Sequence, residues 1–124
     1  MPLGYYLRLK DRLAEIGNLK AAASVLAWDQ QTYMPPGGAT ARSEQMATLE
    51  RLAHQAFISD ELDLLLEKAA ADVNGFPYDS DEASLVRVTR REYDKARKIP
   101  ARLIAEISRV TSLGLETWTK ARAE

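Results

Sequence analysis

Ala27-Trp28-Asp29-Gln30-Gln31-Thr32-Tyr33-Met34-Pro35-Pro36-Gly37-Gly38 is the stretch on which the reading of this chain turns. A helical pattern runs into it, and Pro-Pro-Gly-Gly stops that pattern. Proline lacks the backbone N–H and restricts the residue before it, whereas glycine opens positive φ, so these four residues predict a sharp corner. Just upstream, a Trp, an Asp, two Gln, a Thr and a Tyr crowd one helix end with large rings and hydrogen-bonding groups.

Outward from this corner the pattern predicts five helices and no strand. The first spans about Leu3 to Thr32, with Tyr6, Leu9, Leu13, Ile16, Leu19, Ala23 and Leu26 spaced three or four apart. Gly17 and Asn18 interrupt it, and Ala21-Ala22-Ala23 offers a close approach to a neighbouring helix. The second follows Gly38 through Met46, Leu49, Leu52 and Ala53 to about Ala56. Ser59 reads as the N-cap of the third, with Asp60 and Glu61 set against the positive end of its dipole. Leu62, Leu65, Leu66, Ala69 and Val73 form its buried stripe, and Asn74-Gly75 ends it ahead of the turn Phe76-Pro77-Tyr78.

Asp79 or Ser80 caps the fourth helix, which directs Leu85, Val88, Ala96 and Ile99 to the core. Pro100 suits a first turn, so the fifth begins there and continues through Leu103, Ile104, Ile107, Val110, Leu113 and Trp118. Its last residues, Lys120-Ala121-Arg122-Ala123-Glu124, show no stop signal, which reads as a chain cut within a helix. The fold class is all-α: an antiparallel array of about five helices, with residues 1–124 forming one region.

Bulk properties narrow the function classes. With 46% hydrophobic and 28% charged residues the chain is an ordinary globular one rather than a disordered one. A net charge of −1 gives no pull toward nucleic acid or anionic membrane. The absence of cysteine excludes disulfides and thiolate metal sites and makes a reducing cytoplasm the expected compartment. Met1-Pro2-Leu3-Gly4-Tyr5 has neither the basic nor the apolar part of a signal peptide, and no apolar run approaches the ~18 residues of a membrane span.

The wording of the opening run, with Ala39, Ala41-Arg42-Ser43-Glu44-Gln45 and Ala47-Thr48-Leu49 after it, resembles the N-terminal region of the M32 family, the thermostable carboxypeptidases typified by carboxypeptidase Taq. The likeness includes the helix from Leu7-Arg8 to Ile16, the Ile99-Pro100-Ala101 lead-in to the last helix, and Trp118 to Glu124. The resemblance implies a larger, mainly helical metallopeptidase that removes C-terminal residues from peptides, uses zinc or cobalt, has a deep cleft and is commonly a homodimer. It implies further that this segment walls or covers the cleft, with the rest of the parent polypeptide as its partner. Trp28, Asp29, Gln30, Tyr33, Arg42 and Glu44 are the residues placed at that wall or corner.

The family's zinc is held by a His-Glu-x-x-His helix and a further carboxylate, because histidines at i and i+4 share one helical face. This chain has one histidine, His54, followed by Gln55-Ala56-Phe57-Ile58. No catalytic, cofactor or metal residue is therefore expected within it, and alone it is expected to be inactive. Asp79-Ser80-Asp81-Glu82 fails as a calcium loop, which would need glycine in place of Ser84 and a bidentate glutamate in place of Arg90. Arg87, Arg90, Arg91, Lys95, Arg97, Lys98 and Arg102 are diluted by Glu92 and Asp94 and read as a solvated face or a docking face, ahead of a nucleic-acid surface. Asp29 and Glu44 read first as members of an ion pair or hydrogen-bond network. An uncovered apolar face would drive self-association, so a dimer or larger species is expected. The alternative to an enzyme segment is a stand-alone helical scaffold or protein-interaction module.

Overall fold

The computed structural model describes residues 3–123; Met1, Pro2 and Glu124, used at the two ends of the sequence reading, lie outside them. Five α-helices follow in chain order: α1 Gly4–Thr32, α2 Ala39–Phe57, α3 Asp60–Asp72, α4 Asp81–Ala96 and α5 Ala101–Ala123. Among the described residues there is no strand, so the fold is all-α. None of these helices is long and apolar enough to cross a membrane. Gly17 and Asn18 do not break α1, which is one helix of 29 residues.

Contacts gather into two compact units, residues 1–16 with 55–99, and residues 17–54 with 100–124. The first unit holds the larger side chains. Leu9, Leu62 and Leu66 are at most 1% exposed, around them pack Tyr6, Ala69, Val73, Val86 and Tyr93, and Phe57 meets Tyr93 edge-on at 6.3 Å. Each such leucine stabilises the unit by roughly 1.5–3 kcal/mol relative to an exposed one.

Polar chemistry sets the ends of the helices here. Ser59 takes extended backbone and its Oγ accepts from the Leu62 N–H at 3.2 Å, as an N-cap does. Ser80, not Asp79, caps α4 by accepting from the Ala83 N–H at 3.2 Å, leaving Asp81 and Glu82 in the first turn. The free N–H groups at the start of α1 find a distant acceptor. Asp72, at the end of α3, accepts from Tyr5 N–H at 2.8 Å and Tyr6 N–H at 3.1 Å. Arg90 ties α4 to Asp63 of α3 at 2.8 Å, and Arg12 pairs with Glu61.

The buried face of α4 differs from the expectation. Val86, Thr89 and Tyr93 point inward, whereas Val88 is 42% exposed and Ile99 lies beyond the helix at 38%. The spacing 86, 89, 93 is a helical stripe, but two of its members are a threonine and a tyrosine, which a pattern built on aliphatic residues passes over. Val88 is rotated to the other side.

The second unit is built from α1 beyond Ile16, α2 as far as His54, and α5. Its buried positions are small: Ala23, Ser43, Ala47, Ala53, Ala105 and Ser112. Of the alanine triplet only Ala23 is buried, while Ala21 and Ala22 face solvent. Small buried side chains remove little apolar area from water, and polar links between these helices add to the cohesion.

Candidate functional site

The corner after α1 is a turn of defined type. Gly38 N–H donates to the Pro35 carbonyl at 3.1 Å, Pro36 holds the second position, and Gly37 takes φ +89° at the third, the signature of a type II turn. Gly38 is needed for space as well: a Cβ there would lie 3.0 Å from Met34 Cγ and 3.1 Å from the Pro35 carbonyl oxygen. Before the turn, the Asp29 carbonyl accepts from both Tyr33 and Met34 N–H at 2.9 Å and closes the helix.

Around this corner three polar links join the three helices of the unit pairwise. From α2, Arg42 donates through Nη1 to Asp29 Oδ2 at 2.7 Å and to the Leu26 carbonyl at 2.9 Å, while Nε reaches Gln45 at 3.1 Å. A cation at the negative end of α1 is favourable, and this guanidinium is only 15% exposed. Between α1 and α5, Gln30 Nε2 donates to the Ser112 carbonyl and Ser112 Oγ donates to Gln30 Oε1, both at 3.0 Å. Between α2 and α5, Arg109 donates from Nε to Glu44 Oε1 at 2.6 Å and from Nη2 to Oε2 at 3.2 Å.

These pairings assign chemistry. The hydrogen bond from Arg109 holds the Glu44 carboxyl below its usual range, and the same bond raises Arg109. A carboxylate so held stays ionised and is a poor general base near neutrality. Trp28 and Tyr33 stand apart from the links as an exposed ring pair, 5.7 Å between centroids and tilted by 58°. Of the six residues singled out in the sequence, four are thus placed in links and two on the surface beside them. Ser112 and Arg109 were not singled out; their only local mark is that Ser112 continues the small-residue register of Ala101, Ala105 and Ser108.

An open groove of about 530 Å³ adjoins the corner, with Gln30, Met46, Ile104, Ile107 and Leu115 among its lining. Its size suits a small ligand, and its lining is mostly apolar.

Among the described residues no group of three or more His, Cys, Asp or Glu side chains could hold a metal ion. Catalytic zinc takes three protein ligands. His54, the one histidine of the chain, sits partly buried in the last turn of α2. The basic stretch is partly spent on structure: Arg87 stacks 3.8 Å from the Tyr78 ring and donates to its carbonyl, and Arg90 and Lys95 have acidic partners.

Comparison with known proteins supplies the class. The family description "Carboxypeptidase Taq (M32) metallopeptidase" matches residues 8–124, and the chain belongs to that family. It is 36% identical over 125 aligned positions to thermostable carboxypeptidase 1 of Thermus thermophilus, covering 98% of this chain and 24% of that protein. It is 37% identical to thermostable carboxypeptidase 1 of Pyrococcus furiosus, covering 83% of this chain and 20% of that one. Carboxypeptidase 1 of Bacillus subtilis is 24% identical over 92% of this chain and 22% of its own length. The chain thus spans between a fifth and a quarter of the relatives it matches. No solved structure matches it.

Proposed function

We propose that residues 1–124 form one helical region, the N-terminal segment of a metal-dependent carboxypeptidase that removes C-terminal residues from peptides. On this reading the metal, zinc or cobalt, and its ligands belong to the remainder of the parent polypeptide. The observation that carries it is the family match over residues 8–124 in a chain spanning at most 24% of its relatives. The segment's part is architectural: the corner fixes α2 on α1, α5 closes the third side, and Trp28 and Tyr33 present rings where a cleft wall would meet peptide or protein. Such a wall excludes water and limits access to extended, peptide-sized substrates. A cysteine-free chain suits the reducing cytoplasm, where we place the parent enzyme.

The test is direct. The purified 124-residue chain is incubated with zinc or cobalt and a peptide carrying a free C-terminus, and amino-acid release is followed by mass spectrometry. No release above the metal-only blank is expected. Metal-dependent, stepwise loss of C-terminal residues would overturn the reading, as would one tightly held zinc per chain by elemental analysis.

A further inference from the structure

Asn74 and Gly75 form the centre of the turn that follows α3. Phe76 N–H donates to the Val73 carbonyl at 3.0 Å across them, and Gly75 takes φ +89° at the third position. Both residues are exposed. Among the described residues neither the Asn74 side-chain amide nor the Gly75 N–H has a hydrogen-bond partner. Glycine sets no Cβ beside that nitrogen, and nothing lies within 4 Å of where one would stand.

We propose that Asn74 is a site of spontaneous covalent modification, at which its side chain closes onto the Gly75 nitrogen and ends as aspartate or isoaspartate. The co-reactants are hydroxide and water. Hydroxide takes the Gly75 N–H proton, and the nitrogen forms a bond to Asn74 Cγ. The Cγ–Nδ2 bond breaks, and Nδ2 takes a proton from water and leaves as ammonia, which returns the hydroxide. Water then opens the five-membered imide. Opening at the side-chain carbonyl gives aspartate, and opening at the main-chain carbonyl gives isoaspartate.

Ring closure swings the Gly75 nitrogen toward Cγ. Across the turn that swing breaks the hydrogen bond from Phe76 to Val73, a local opening that leaves α3 in place. Asn18, the other asparagine of the chain, is the internal control. It lies within α1, where the Leu19 N–H belongs to the helical ladder and a branched side chain crowds the nitrogen. The product carries a new negative charge two residues beyond Asp72, at the negative end of α3, and isoaspartate also lengthens the main chain inside the turn. This inference does not depend on the carboxypeptidase reading.

Incubation of the folded 124-residue chain at mildly alkaline pH tests it, with peptide mapping by fragmentation that separates isoaspartate from aspartate. Asn74 is expected to convert at a rate proportional to hydroxide, releasing ammonia in step, while Asn18 stays intact. Asn74→Gln, which would need a six-membered ring, yields no such product, and Gly75→Ala slows conversion several-fold; circular dichroism reads the fold of both. An Asn74 that stays intact while a synthetic peptide of residues 70–79 converts overturns the proposal. Conversion of Asn18 as fast as Asn74 overturns it equally, because the reaction would then belong to the unfolded chain.

Discussion

Gln30 and Ser112 hold each other from both ends: the Gln30 amide donates to the Ser112 carbonyl, and the Ser112 hydroxyl donates to the Gln30 carbonyl oxygen, each at 3.0 Å. Eighty-two positions apart in sequence, they join α1 to α5 where the buried side chains are alanines and serines. Ser112→Ala strands the part-buried Gln30 oxygen and is expected to destabilise by about 1–2 kcal/mol. Ser112→Ala keeps the backbone carbonyl at 112, so Gln30→Ala added to it still removes the other hydrogen bond, and a double-mutant cycle by urea denaturation measures the coupling through the hydroxyl alone.

The cap on α1 comes from another helix. An aspartate at the C-terminal end of α3 opposes that helix's own dipole, so Asp72 is retained against a local penalty while serving Tyr5 and Tyr6 N–H. Asp72→Ala is expected to cost about 1–2 kcal/mol, with amide exchange at Tyr5 and Tyr6 accelerating more than at α5. Equal acceleration everywhere would mean that the bond is not local in effect.

Glycines near each other in sequence respond with opposite sign. Gly17 lies inside α1 with nothing within 4 Å of an added Cβ, so Gly17→Ala stabilises by up to about 1 kcal/mol. Gly37→Ala must adopt φ +89° and destabilises by about 1 kcal/mol or more. Thermal melting of the two variants reads both signs.

Acid should weaken the second unit through Glu44. Its folded-state value lies below the usual one because Arg109 hydrogen-bonds its charged form, with burial opposing and the charge of Arg109 assisting. The contribution is complete above the ordinary glutamate value of about 4.3 and is lost as pH falls through the lowered one. Glu44→Gln removes that loss, so stability at fixed urea falls less steeply below this value in the variant than in the parent chain. Added salt shrinks the difference.

Large core residues give a reference scale. Leu66→Ala, at 1% exposure, is expected to cost about 2–5 kcal/mol by the same denaturation measurement.

How much was legible in the sequence follows from distance along the chain. α3 was readable because its cap, Ser59, and each member of its stripe from Leu62 to Val73 lie within four residues of the next. The corner was readable because Pro and Gly restrict backbone locally. On α4 Leu85 packs against the core as expected, but Val88 is exposed and Thr89 and Tyr93 are core residues instead, each buried despite a hydroxyl. At the candidate site Asp29 and Arg42, 13 residues apart across one corner, were within reach of local reasoning. Glu44 with Arg109 and Asp72 with Tyr5 are 65 and 67 residues apart, and only the folded chain brings them together.

The division of the helices between two units bears on the order in which a growing chain can finish them. Each unit draws on two separate stretches, and neither can be excised as one continuous piece. The first is complete in sequence once Ile99 has emerged, having waited for residues 17–54 to pass. The second needs α5 against α1 and α2, with some seventy residues between Gln30 and the start of that helix, and it closes last. Until α5 has emerged, the amide of Gln30 and the carboxylate of Glu44 lack the Ser112 and Arg109 groups they meet in the folded chain.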